Sequence, residues 1–171
     1  GLVHYLCNKP LGTVTTDIDK HGRPTVVDLL PPEPRVFPVG RLDIDTSGLL
    51  ILTNDGDLTQ TLTHPSHGVA KTYLVEVKGL PGPDTLHRLR DGVDLDDGGT
   101  APAGARVLER RDDSVALELV LHEGRNRQVR RMCEAVGYPV VRLVRTRIGN
   151  LVDPSLAPGE WRELTDSEVR A

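Results

Sequence analysis

The chain has 171 residues, 37% of them hydrophobic and 27% charged. That is enough apolar material for one domain, or one domain with two lobes, and it excludes a disordered chain; no run approaches the ~20 apolar residues of a membrane-spanning helix. The 21 Lys and Arg against 25 Asp and Glu give a net charge of −4, which argues against a general nucleic-acid binder.

Val3-His4-Tyr5-Leu6-Cys7 reads as a strand from its β-branched and aromatic content, and Asn8 to Gly12 as the turn that ends it. Thr13 to Thr16 suits a short strand and Asp17 to Pro24 a polar loop. Thr25 to Leu30 predicts a turn or two of helix, capped by Thr25 and stopped by Pro31, Pro32 and Pro34. Arg35 to Val39 is extended and leads into Gly40-Arg41-Leu42-Asp43-Ile44-Asp45-Thr46-Ser47-Gly48, a charged loop of small residues. Leu49-Leu50-Ile51-Leu52 follows without alternation, as a strand buried on both faces does. Asn54-Asp55-Gly56 is a turn, and Asp57 is the expected cap of a helix over 58–63.

Lys71 to Gly79 alternates, with Tyr73, Val75 and Val77 on one face of a strand. Asp84 is the expected cap of a short helix carrying Leu86 and Leu89, ended by Gly92. Val93 to Ala105 reads as a hairpin region. Arg106 to Arg110 and Ser114 to Leu121 read as antiparallel strands, with Val115, Leu117, Leu119 and Leu121 facing one way. Val129, Met132, Cys133 and Val136 mark a helix from about Asn126 to Val136. Val140 to Val144 is a strand that Arg145-Thr146-Arg147 extends with charge. Leu151 to Arg162 is a loop packed down by Trp161, and Thr165 and Glu168 match a capping box. The pattern as a whole is α+β, with a mixed, largely antiparallel sheet and flanking helices.

Chemistry-bearing groups follow from this layout. Cys7 and Cys133 sit in apolar settings, so the simple reading is two buried thiols in a reducing compartment, with a disulfide as the alternative. From Leu121 to Asn150, seven arginines face two acids, which points to a directed anionic partner or, equally, to a solvated basic face. The start of the helix near Asn126 combines guanidiniums with backbone N–H groups, an anion-facing arrangement. Asp43 and Asp45 alternate along an extended segment and have no third ligand at useful spacing, so no metal site is expected. Asp43 keeps two readings on local grounds. It is a turn acid held by Arg41 or by N–H groups, or it is a catalytic carboxylate oriented by an arginine. Asn54 to Asp57 lacks the later acid of a calcium loop. No glycine-rich phosphate loop or nucleophile elbow is present, and His64 and His67 flank an ordinary loop. Tyr73 is a core strand residue or a stacking platform for a base.

Gly40-Arg41-Leu42-Asp43-Ile44-Asp45-Thr46-Ser47-Gly48-Leu49-Leu50 resembles the signature of RNA pseudouridine synthases, and its continuation through Leu52-Thr53-Asn54-Asp55-Gly56 resembles the RsuA/RluB-type branch. Three more blocks agree in order: Asn8-Lys9-Pro10-Leu11-Gly12, Lys71-Thr72-Tyr73, and Glu123-Gly124-Arg125-Asn126-Arg127-Gln128-Val129-Arg130-Arg131-Met132, followed by Arg142-Leu143-Val144-Arg145. The resemblance implies the pseudouridine synthase catalytic fold as a single domain over 1–171, without the S4-type RNA-binding domain such proteins commonly carry at the N-terminus. It implies that Asp43 is the catalytic aspartate, that Tyr73 stacks on the target base, and that Arg130 pairs with the aspartate. Leu143 would line the uracil pocket, and Arg41, Lys9, Arg125, Arg127 and Arg131 would lie on the substrate side. The implied activity is isomerisation of a uridine in ribosomal RNA, without cofactor or metal, by a cytoplasmic protein expected to be a monomer. The Gly159-Glu160-Trp161-Arg162-Glu163-Leu164 ending favours the large-subunit RNA. A small-subunit target, a non-catalytic RNA-binding or ribosome-assembly module, and a nuclease using Asp43 and Asp45 are the competing readings.

Overall fold

The computed structural model describes residues 1–16 and 19–170. The chain divides into two compact units, one formed by Gly1–Val69 with Arg145–Ala171 and the other by Ala70–Val144.

In the first unit, β1 (His4–Lys9) pairs antiparallel with β3 (Ser47–Thr53) and with β10 (Trp161–Glu163), and β2 (Phe37–Val39) pairs antiparallel with β3. The unbroken Leu49-Leu50-Ile51-Leu52 run is β3, as expected, and it is buried on both faces because each face has its own core. Leu50 and Leu52 pack with Tyr5, Cys7, Val26, Val36 and Leu42. Leu49 and Ile51 pack on the other side with Leu6, Val39 and Ile148. Each of these aliphatic side chains contributes on the order of 2 kcal/mol on burial. The turn expected at Asn8 starts later: β1 runs on through Lys9 because its backbone stays paired with Leu49 and Gly48. Thr13–Thr16 makes a single bridge, Val14 to Thr25, rather than a strand. Part of the loop expected from Asp17 to Pro24 lies outside the described residues. Val26–Leu29 is one 3₁₀ turn, and the Asp28 carboxylate accepts a hydrogen bond from the Thr25 N–H.

The helix after β3, α1 (Gly56–Thr63), is capped by Asp55 and not by Asp57. Asp55 Oδ1 accepts from Leu58 N–H at 3.1 Å, and its other oxygen meets His4 Nε2 at 2.9 Å. Trp161 is not in a loop but opens β10, edge-on to the Tyr5 ring at 5.1 Å. The capping box at Thr165 and Glu168 forms as expected and starts α4 (Asp166–Arg170): Thr165 N–H donates to Glu168 Oε1, and Glu168 N–H donates to Thr165 Oγ1.

In the second unit, β4 (Lys71–Lys78) pairs antiparallel with β8 (Ser114–Leu121), which pairs antiparallel with β7 (Gly104–Arg110). Between them come α2 (Pro83–Asp91) and a small hairpin of β5 (Asp94–Leu95) and β6 (Gly98–Gly99). Gly82, with Pro83 at the first helical position, opens α2, and Asp84 sits in the first turn rather than at the cap. The helix α3 (Gln128–Ala135) starts two residues later than its apolar stripe suggests, because Arg127 adopts a left-handed backbone, φ 48°. Val75, Val77, Val115, Leu117, Leu119 and Leu121 form the sheet side of this core, and Val129, Met132, Cys133 and Val136 the helix side. The last strand, β9 (Val140–Ile148), leaves the second unit at Val144 and enters the first at Arg145. Both cysteines are buried thiols, and burial pushes Cys7 up to about 11 and Cys133 up to about 12. Antiparallel pairing throughout these ladders, with four α-helices among the described residues, is the α+β class read from the sequence. No helix among the described residues is long and apolar enough to cross a membrane.

Candidate active site

The first unit builds a rigid seat for the loop at 40–48. Lys9 ends β1 with its side chain wholly enclosed, and its Nζ donates to the carbonyls of Thr13 at 2.7 Å and Pro10 at 3.0 Å. Burial disfavours the ammonium and pulls its pKa down to about 8, while the carboxylates of Asp43 and Asp45 favour the charged form. The segment that Lys9 organises then grips the loop. Gly12 N–H donates to Ile44 O at 3.0 Å, Leu42 N–H donates to Thr15 Oγ1 at 3.1 Å, and that hydroxyl donates back to Leu42 O. Thr46 N–H closes a turn onto Asp43 O at 3.0 Å. Leu42 and Thr46 are buried on either side, so Asp43 is half-buried on a backbone fixed at both ends, while Arg41 and Asp45 are exposed.

Gly48 completes the seat. Its φ is 124°, and a Cβ there would fall on the backbone carbonyl and amide nitrogen of Arg145. Only glycine lets β3 approach β9 this closely. Arg145 is itself buried, 4% exposed, and its Nε donates to Leu49 O at 2.9 Å. The tail of the motif is fastened to the start of β1. Val3 N–H donates to Asn54 Oδ1 at 2.8 Å, and Thr53 Oγ1 donates to Val3 O at 2.6 Å. Asn54-Asp55-Gly56 is therefore a stitched turn.

The second unit carries the remaining motif residues. Tyr73 lies on β4 opposite Leu119, half-buried against the apolar cluster that contains Leu143 and Val129. Leu143 is 5% exposed within that cluster. Arg130 is half-buried on α3, next in sequence to buried Val129. The Lys71-Thr72-Tyr73 block meets the Glu123-Gly124-Arg125 block, since a Cβ at Gly124 would lie 3.4 Å from Lys71 Nζ. Gln128 is buried and turns its amide oxygen back to accept from Arg125 N–H at 3.1 Å, which fixes the entry to α3. Arg127 is exposed at the cap. Arg125 and Arg131 both reach the Asp97 carboxylate, at 2.9 and 2.8 Å. No cluster of three or more metal-ligating side chains occurs among the described residues.

The sequence profile described as RNA pseudouridylate synthase matches residues 3–135. The chain belongs to that family. It is 44% identical to the ribosomal large subunit pseudouridine synthase B of Bacillus subtilis (strain 168), over 98% of this chain and 70% of that protein. It is 41% identical to the ribosomal large subunit pseudouridine synthase E of Vibrio vulnificus (strain CMCP6), over 92% of this chain and 73% of that protein. A crystal structure of a pseudouridylate synthase superposes with a TM-score of 0.90 at 36% identity, covering 99% of this chain and 73% of that one.

Within this pseudouridylate synthase frame, Arg145 and Asp97 stand out although motif spacing did not single them out, and Lys9 takes an enclosed place. Lys9, placed on the substrate side from the sequence, is enclosed within the first unit with its ammonium on the carbonyls of Pro10 and Thr13. Arg145, read as part of a charged strand extension, is a buried cation. No alternation in β9 marks it, since Val141 and Arg147, of the same parity, are exposed and Ile148, of the opposite parity, is buried. Asp97 sits 28 and 34 residues before the arginines it binds, and no local pattern marks the pairing.

Proposed function

We propose that this chain converts a uridine of large-subunit ribosomal RNA to pseudouridine, with Asp43 as the reacting carboxylate. The reaction breaks the bond between the base N1 and the sugar C1′, turns the base, and joins C5 to C1′. The C5 proton is lost, N1 gains one, and mass is unchanged. The base edge is out of reach in a stacked helix, so the nucleotide must leave the stack. Tyr73 replaces the lost stacking, and Arg130 serves the same reaction by orienting the aspartate. Arg41, Arg125, Arg127 and Arg131 meet phosphates, and Leu143 gives the uracil an apolar wall. Lys9 acts through Asp43, by holding the loop.

The observation that carries this reading is the seat of Asp43. A half-buried acid, on a loop pinned at Leu42, Ile44 and Thr46, is held in the way a reacting group must be held. The 44% identity to a large-subunit enzyme supports the choice of RNA. The test is pseudouridine mapping on large-subunit RNA incubated with the protein. Asp43→Asn should lower product formation by at least ~10³-fold while RNA binding survives. Turnover in that variant would remove Asp43 from the mechanism. RNA binding without any pseudouridine from the wild-type protein would leave a binding module instead.

A further inference from the structure

The segment Asp94-Leu95-Asp96-Asp97-Gly98-Gly99 folds into the β5–β6 hairpin, with Asp96 and Asp97 at its tip. A two-stranded hairpin of this size is not stable alone. Val93 and Thr100 bond to each other at its base and Leu95 packs on the apolar cluster of the second unit, while its tip is held by two arginines. Arg125 Nη2 donates to Asp97 Oδ1 at 2.9 Å and to Gly98 O at 2.8 Å, and Arg125 Nη1 donates to Gly99 O at 3.0 Å. Arg131 Nη1 donates to Asp97 Oδ1 at 2.8 Å, and its Nη2 donates to Oδ2 at 3.2 Å. Ala101 N–H donates to a carboxylate oxygen of Glu123.

One carboxylate thus receives two guanidiniums, one of them in the two-pronged fashion that a phosphate also accepts. The Arg131 hydrogen bonds hold the Asp97 carboxyl below its ordinary range, and the nearby Asp96 adds to the field on Arg131. The backbone carbonyls of Gly98 and Gly99 already tether the hairpin to Arg125. What Asp97 adds is negative charge, placed where the basic helix start would otherwise receive an anion. The Asp97 side chain is 52% exposed, so water screens the pair and an incoming polyanion can compete for it.

We propose that Asp97 occupies, in the unbound protein, the position that an RNA backbone phosphate takes on Arg125 and Arg131, and that RNA binding displaces the 94–99 hairpin. This rests on the RNA-modifying reading above and adds a gate to it. A phosphate in that position can take over the three guanidinium hydrogen bonds that Asp97 accepts, while the two to Gly98 O and Gly99 O are lost with the hairpin, and the surface stays neutralised until a phosphate arrives. Discrimination follows, because a weak or singly charged anion does not repay the loss of Asp97 and of the Gly98 and Gly99 contacts, whereas a chain of phosphates does.

The experiment uses the whole chain and two probes, a fluorescein-labelled oligouridylate and inorganic tripolyphosphate. Asp97→Asn and Asp97→Ala should bind both probes about five- to tenfold more tightly than wild type at low salt. In the wild-type protein, amide hydrogen exchange over 94–101 should speed up when tripolyphosphate is saturating. Equal or weaker binding of tripolyphosphate by variants with an unchanged circular dichroism spectrum overturns the proposal, as does unchanged or slower exchange in the hairpin. Failure of the oligouridylate to bind any of the proteins, with the tripolyphosphate result as expected, would remove the RNA reading and leave the gate standing. Oligouridylate binding equal in wild type and variants would remove the gate and leave the RNA reading.

Discussion

The cations around the two halves of the motif set are handled in opposite ways. In the first unit, Lys9 and Arg145 are buried and donate to backbone carbonyls of Pro10, Thr13 and Leu49. In the second, exposed Arg106 and Arg111 and half-buried Arg125 and Arg131 pair with the carboxylates of Glu118, Glu76, Glu109, Glu123 and Asp97. Burying an ammonium costs several kcal/mol before any partner is counted. A backbone carbonyl cannot move away from it, so the return on that cost is fixed geometry. Surface pairs contribute little to stability, and their carboxylates can be exchanged for other anions. Beside the 40–48 loop the first unit spends charge on holding backbone still, although its Arg23 and Arg162 pair with carboxylates as well, and the second keeps the charge of Arg125 and Arg131 on an exchangeable carboxylate.

Breaking the first unit should therefore do the most damage. Gly48→Ala puts a Cβ into the Arg145 backbone and requires a φ of 124° that alanine avoids. We expect a loss of about 3 kcal/mol or more in urea unfolding. Gly98 in the hairpin has a similar φ of 113° but open space around its Cβ position. Gly98→Ala should cost only about 1–2 kcal/mol, from backbone strain alone. Equal costs at the two glycines would show that the close approach of β3 to β9 is not what Gly48 serves.

Lys9→Met comes next, and its effect should fall on activity more than on folding. The loop keeps its apolar anchor at Leu42 but loses the donor to Pro10 and Thr13 and the cation beside Asp43 and Asp45. A loop displaced by a fraction of an ångström costs roughly 10–100-fold in turnover. The same variant carries a pH test. Folding lowers the Lys9 pKa from 10.5 to about 8, so between these values the unfolded chain binds more protons than the folded one. The penalty is fully present below pH 8 and is relieved as pH rises toward 10.5, so wild-type stability should climb relative to Lys9→Met. The whole window is worth on the order of 3 kcal/mol. Cys7 and Cys133 act in the opposite sense above pH 9, because folding holds both thiols protonated. The comparison is cleanest between pH 8 and 9, and a stability difference that is flat there would show that Lys9 is not the titrating group.

Much of this architecture was legible because burial leaves a period in the sequence. The unbroken run of β3, the alternation in β4 and β8, and the Val129, Met132, Cys133, Val136 stripe of α3 each became the element expected. Element ends were less legible. Asp55 rather than Asp57 caps α1, and Gly82 rather than Asp84 opens α2, because a cap is chosen by backbone angles that several neighbouring residues could supply. Lys9 and Arg145 were hidden by their charge, although Lys9 follows the parity of its buried strand neighbours Tyr5 and Cys7. Asp43 was ambiguous on local grounds, and only the ordered blocks around it favoured the catalytic reading. Asp97 belongs to an acidic cluster visible from Asp91 to Asp97, but its pairing was not legible, since a loop acid finds its arginines only after the chain has folded.

The smallest expected effect is also the sharpest check on the contrast between the two units. Arg106 and Glu118 face each other in register across β7 and β8, joined by Nε to Oε1 at 2.8 Å and Nη2 to Oε2 at 3.3 Å. The geometry is as good as that of the buried contacts, but the Arg106 side chain is 65% exposed. Water and salt already stabilise both charges when they separate, so the pair gains little by staying together. Removing both in a double-mutant cycle should leave the coupling near the limit of detection and the melting temperature within about 2 °C of wild type. A coupling that is large and insensitive to salt would mean that exposure does not make these pairs exchangeable. Asp97 would then be as fixed as Lys9, and the division between a unit that holds and a unit that exchanges would fail at its weakest contact.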